Sequence, residues 1–283
     1  MTDKSLYRRL KANDVISLLW PLLESASFIC RTEDGKLRPL REGIMPNTPW
    51  IHTNENDLKF HCRLWHNISF DVVSRNLPEQ YRFVPRGCQG CWKVVLKMQT
   101  VEQLLAVLEL QKAMNATSKC GIEERDTVKG LYGAYFFNRS KAEGLRRYDD
   151  VKARIRKNKI LSPLLDEVDQ DNRTTRLILK RGCTEMEHLV GPSDKWKITE
   201  TQTILENLIE RYVVLDPSEG GQPSHIVDHI KCRWIEWAAG NEDETYLKYT
   251  DQPLSPDLSA LKKTKHNIPD YVTYHEPDLK TNL

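Results

Sequence analysis

The order of strand-like and helix-like segments predicts an α+β protein with a ferredoxin-like core, β-α-β-β-α-β, carrying helical additions at both ends. Three observations lead there. Short Val- and aromatic-rich runs alternate with two longer segments of 3.6-residue apolar period. Two capping-box patterns mark the helix starts. One connection between apolar runs is too short for anything but an antiparallel turn.

The elements follow in order. "WKVVLKM" (92–98) has the length and Val content of a strand. "TVEQLLAVLELQKAMN" then places Val101, Leu104, Leu105, Leu108 and Met114 on one helical stripe, with Thr100 and Gln103 as its capping box. "KCGIEERDTV" (119–128) reads as a second strand, Lys129-Gly130 as a turn, and "LYGAYFFN" (131–138) as the third strand. Ser140 and Glu143 open a second helix whose buried face is predicted to hold Leu145, Tyr148, Val151 and Ile155. "TTRLILKRGC" (174–183) supplies the fourth strand. Right-handed crossovers would give four antiparallel strands with both helices on one face.

Three segments organise the chain: a helical lead-in over 1–80, with a first helix near 5–27; the core over 81–190; and a helical stretch with a Pro-spaced polar tail over 191–283. At 39% hydrophobic and 29% charged, the 283 residues are too apolar for a disordered chain. No apolar run approaches the ~20 residues of a membrane helix. The first thirty residues lack a signal-peptide cleavage pattern, so a cytoplasmic protein with no membrane partner is expected. A net charge of +2 does not by itself announce a nucleic-acid binder.

Seven cysteines, an odd number, argue against a disulfide framework in a reducing compartment. In the predicted topology Cys88 and Cys91 precede strand one, Cys120 opens strand two and Cys183 closes strand four, all at one end of the sheet. Neighbouring strands lie about 4.8 Å apart, so loops could gather the four thiolates around a metal. Gly beside Cys88, Cys120 and Cys183 would free amides for sulfur. A [4Fe–4S] cube tolerates scattered ligands better than a single Zn²⁺ and is preferred by a narrow margin. Against this stands the reading of four unrelated cysteines that pack as small hydrophobes. A thioredoxin-type pair is disfavoured because strand, not helix, follows Cys91, and the CxxxCxxC of radical S-adenosylmethionine enzymes is absent.

Other features are less specific. "SHIVDHIKCRWIEWAAG" (224–240) reads as a helix capped by Ser224, with His225, His229 and Cys232 along one face. Polar histidines on an amphipathic helix account for them better than a metal site does. For His52, His61, Cys62 and His66, a partly buried histidine satisfied by a neighbour is a more common explanation than a ligand set. The strand "KGLYGAYFF" resembles the basic-Gly-aromatic strand of RNA-recognition domains, with altered aromatic spacing. By alternation Tyr135 and Phe137 share one face and Tyr132 and Phe136 the other. Residues 139–159 carry nine Lys/Arg against three Asp/Glu. Lys129, Tyr132, Tyr135, Arg146, Arg147, Lys180 and Arg181 are therefore the candidate nucleic-acid contacts. Glu123, Glu124, Asp126, Glu185 and Glu187 are acidic candidates, but no spacing identifies a catalytic pair. The expected function is a metal- or iron–sulfur-dependent protein, with enzymatic action on RNA, DNA or a nucleotide as the leading reading. The alternative is a non-catalytic nucleic-acid-binding or assembly protein with a structural four-cysteine zinc site.

Overall fold

The computed structural model describes residues 3–25, 29–31, 36–39, 48–54, 65–66, 68–76, 79, 82–125, 128, 130–166, 176–211, 222–254 and 274–275. The chain falls into two compact units, each assembled from separated stretches: Met1–Arg41, Asn56–Gly90 and Glu185–Gly220 in one, Glu42–Glu55, Cys91–Thr184 and Gly221–Leu283 in the other.

The first unit is mainly helical. Helix α1 (Asp3–Glu24) is followed by a small antiparallel pair, β1 (Ile29–Arg31) and β2 (Leu37–Pro39). A π-type turn over Ile68–Val73 runs into Ser74–Asn76. Its core is a cluster of Leu19, Leu23, Trp65, Ile68, Val72, Leu205 and Ile209.

The second unit is an α+β sandwich around one antiparallel sheet. Its strands are β3 (Trp50–Thr53), β4 (Trp92–Met98), β5 (Ser118–Ile122), β6 (Tyr132–Asn138), β7 (Leu177–Arg181) and β8 (Tyr274–His275). Their spatial order is β3-β5-β6-β4-β7-β8, every neighbour antiparallel. The sheet is thus wider than the four strands expected, because β3 and β8 join its two edges. Strand β5 ends at Ile122 rather than continuing to 128: beyond it the Glu123 carboxylate turns back onto the Arg125 amide and guanidinium.

Alternation decides which side chains face the helices. Val94, Leu96 and Met98 of β4, Cys120 and Ile122 of β5, Tyr132, Ala134 and Phe136 of β6, and Leu177 and Leu179 of β7 enter one core. Helix α3 (Val101–Met114) and helix α4 (Lys141–Lys157) close it with Leu104, Val107, Leu108, Tyr148, Val151 and Ile155. The Thr100–Gln103 capping box forms as the sequence predicts, and Asn115 ends α3 in the left-handed conformation. Ser140 caps α4, but Leu145 points outward and Gly144 takes the buried position. A further helix, Ser224–Gly240, has the predicted limits and buries Ile226, Ile230, Trp234 and Trp237. Pro223, not Ser224, is its N-cap, and no side chain caps it.

Two polar devices hold this unit in register. The Asp243 carboxylate accepts from the Val101 amide and the Tyr132 hydroxyl, each at 2.6 Å, and from the Thr245 amide and hydroxyl. The Gln222 side chain pairs with the outer edge of β3, accepting from His52 N–H at 2.8 Å and donating to the Trp50 carbonyl at 3.0 Å. No helix among the described residues is long and apolar enough to cross a membrane.

Burial, and then its hydrogen bond to Asp243, push the Tyr132 phenol far above its ordinary range. Its contribution is therefore intact below about pH 10 and is lost as pH rises further and the unfolded chain's phenol ionises. Asp243→Ala leaves a buried hydroxyl and a helix-start amide unpaired and should cost about 3 kcal/mol in urea unfolding. Tyr132→Phe should flatten the alkaline loss of stability above about pH 10.

Candidate nucleic-acid interface

The side chains left over by that alternation form the other face of the sheet. Register places Trp50, Gly121, Gly133 and Lys97 in one row across β3, β5, β6 and β4. The next row holds His52, Lys119, Tyr135, Val95 and Ile178. A third holds Phe137, Lys93 and Lys180. Beside them Arg125 follows β5.

The glycines explain how the aromatic rings lie. A Cβ at Gly121 would collide with the Pro49 carbonyl and come within 2.8 Å of the Trp50 indole. At Gly133 it would sit 3.1 Å from the Tyr135 ring. The two rings therefore fold down over the glycine row, where they meet edge to face with centroids 5.6 Å apart. Trp50, Tyr135 and Phe137 are partly buried, and Val95 and Ile178 in the Tyr135 row are buried.

Cations are set among these rings. Lys119 Nζ stands 4.2 Å from the Trp50 centroid and 5.4 Å from that of Tyr135. Lys93 Nζ lies 5.7 Å from Phe137 and 5.9 Å from Tyr135. The Arg125 guanidinium is 5.5 Å from Trp50. Among the described residues, five cations (Lys93, Lys97, Lys119, Arg125 and Lys180) share the face with one carboxylate, Glu123. That carboxylate is 1% exposed and is held by the Arg125 fork and the Tyr135 hydroxyl. A notch of about 30 Å³ opens among Lys97, Tyr135, Lys180 and Thr184, room for a water-sized polar atom.

The expected contact residues divide sharply. Tyr135 and Lys180 belong to this face. Tyr132 does not: it is 1% exposed on the helix side and bonded to Asp243. Arg146 and Arg147 sit on α4, in the helical layer behind the sheet, where Arg147 faces Asp150 at 3.8 Å. Arg181 alternates with Lys180 and so falls on the helix side at the end of β7. Lys129 lies outside the described residues, as do His61, Cys62 and Asp126. The sequence reading missed Trp50, Lys93, Lys97, Lys119 and Arg125. The signal for the lysines was present, since positions 93, 97 and 119 alternate with core residues.

The four cysteines also separate. The Cys91 carbonyl accepts from Gly182 N–H at 2.9 Å, so Cys91 and Cys183 do end neighbouring strands. Cys120 pairs across Ala134 to the row of Leu96, five residues deeper than Cys91, or about 17 Å along the strand. It is fully buried in the apolar core, and burial pushes its thiol well above the ordinary range. Cys88 is buried within the short helix α2 (Arg86–Gly90) of the other unit. Among the described residues no three His, Cys, Asp or Glu side chains are grouped to hold a metal ion. The expectation of one centre overlooked that β5 starts two rows inside the end of β4, which carries its third residue into the core. His225, His229 and Cys232 are exposed along the outer side of their helix. His66 stacks on Phe70, and Glu187, 1% exposed, accepts from the Ser193 amide.

One cysteine has a reactive setting. Lys93 Nζ contacts Cys183 Sγ at 2.8 Å, and a cation so close favours thiolate over thiol. Comparisons with protein-family models, curated proteins and solved structures give no match.

Two outcomes test this geometry. Lys93→Met should slow iodoacetamide labelling of Cys183 several-fold in peptide mass mapping. Gly121→Ala must displace backbone and should cost about 2–3 kcal/mol, whereas Gly133→Ala meets only the edge of a side chain and should cost under about 1 kcal/mol.

Proposed function

We propose that this chain binds single-stranded nucleic acid on the sheet face bearing Trp50, Tyr135 and Phe137. The observation that carries the reading is the interleaving of partly buried rings with cations over a row of two glycines. Rings offer every base a stacking surface whatever its identity, and the more accessible cations, Lys97 and Lys119, would follow the phosphates. The absence of side chains at Gly121 and Gly133 lets the Trp50 and Tyr135 rings lie down over the strands as one platform.

The strand succession supports reading β4-α3-β5-β6-α4-β7 as a ferredoxin-like module, since its strands neighbour one another as β5-β6-β4-β7. On that reading β3 and β8 are additions, and β3 brings Trp50 to the platform. The function is binding without an assigned reaction. The reading does not draw on the four-cysteine centre expected from the sequence, because Cys120 is a core residue.

The test is fluorescence anisotropy with a labelled single-stranded oligonucleotide over a salt series. Trp50→Ala and Tyr135→Ala should each weaken binding about tenfold, the loss of one stacked base. Lys97→Gln and Lys119→Gln should each reduce the slope of log K against log salt by about 0.7. Arg146→Gln, behind the sheet, should leave both unchanged. Undiminished binding by the Trp50→Ala/Tyr135→Ala double variant would remove this face from consideration.

A further inference from the structure

The helical unit contains a second, unrelated cavity. It measures about 530 Å³, within the range of small-ligand pockets. It lies between α1, the 82–89 stretch and the 190–205 stretch, which ends in α5 (Glu200–Glu210). Val15, Phe83, Val190, Pro192, Trp196 and Leu205 give it apolar walls. Arg82, Lys195 and Lys197 add three cations, and no carboxylate is among the described residues that line it.

Its polar groups are fixed in direction. The buried Glu206 carboxylate accepts from Gln202 Nε2 at 2.6 Å, and the Val84 carbonyl accepts from the same nitrogen at 2.7 Å. Both partners are acceptors, so the amide cannot be turned over. Arg86 holds Glu206 in place through its backbone N–H and Nε. Gln202 therefore keeps its carbonyl oxygen as an acceptor on the wall, with no donor to it among the described residues. Arg82 Nε is a buried donor with no hydrogen-bond partner among the described residues, while its Nη1 lies 3.7 Å from the Glu79 carboxylate. Trp196 is held by its indole N–H on the Gly191 carbonyl at 2.7 Å. Lys195 and Lys197 are exposed and form no ion pair among the described residues.

We infer that this pocket binds a nucleoside monophosphate or an organic anion of that build. A ring body would lie against Trp196 and Phe83, and the phosphate would meet Lys195, Lys197 and Arg82. A ribose hydroxyl or base amine would supply a donor to the Gln202 oxygen, which a fatty carboxylate lacks. Binding here uses none of the residues on the sheet face, so it stands or falls separately from the nucleic-acid reading.

The test is isothermal titration of the full chain with AMP, adenosine, inorganic phosphate and octanoate. AMP should bind, with adenosine and inorganic phosphate each at least about tenfold weaker. Lys195→Gln/Lys197→Gln, a change of two exposed side chains, should weaken AMP about tenfold while octanoate stays the poorer ligand. Lys97→Gln/Lys119→Gln on the sheet should leave AMP binding intact while weakening oligonucleotide binding. The inference is overturned if AMP fails to bind at millimolar concentration, or if octanoate binds better. It is overturned equally if AMP affinity responds to the sheet variant and not to the pocket variant.

Discussion

The Asp243 carboxylate is the constraint on which the sheet unit depends. One oxygen holds the first amide of α3 and the hydroxyl that begins β6; the other holds the turn after the Ser224–Gly240 helix. Side chains alternate along a strand, so fixing Tyr132 inward fixes Gly133, Tyr135 and Phe137 outward. A slip by one residue would bury Tyr135 and Phe137 and expose Phe136. The chemistry of the face is thus decided by a bond made in the opposite layer.

Charge is distributed over that face at some cost. Lys93 and Lys180 are only 6% and 4% exposed, and Glu123 is 1% exposed. Ionised groups taken out of water must be repaid by close partners, which Glu123 finds in Arg125 and Tyr135. Replacing such groups by apolar residues would usually preserve or raise stability. Their concentration beside aromatic rings is a reason to look for function there rather than for stability.

The central strands and both flanking helices were legible because their signals are local. "WKVVLKM" and "LYGAYFFN" carry β-prone residues in unbroken runs, and Thr100 and Ser140 mark helix starts within four residues of the chain. The added edges were not legible. β3 is four residues long and pairs with β5 nearly seventy positions later, while β8 has two residues. No periodicity develops over such lengths. The same gap explains the interface: Tyr135 was visible, but the ring it meets comes from β3. The depth of Cys120 in the core was not legible either, since topology gives the direction of β5 without giving its offset. Tyr132 was misassigned because alternation divides a strand into two faces without naming the inner one, and Asp243, which names it, is 111 positions away.

An unpaired sheet edge is a template on which another strand can grow. At β3 that growth is stopped by a side chain in place of a strand, with the Gln222 amide occupying a donor and an acceptor at once. Trp234 closes the position just before it through the Pro49 carbonyl. A polypeptide arriving edge-on must first displace both. The Trp50 edge of the sheet is therefore guarded against strand addition, ending in side chains rather than in an open ladder.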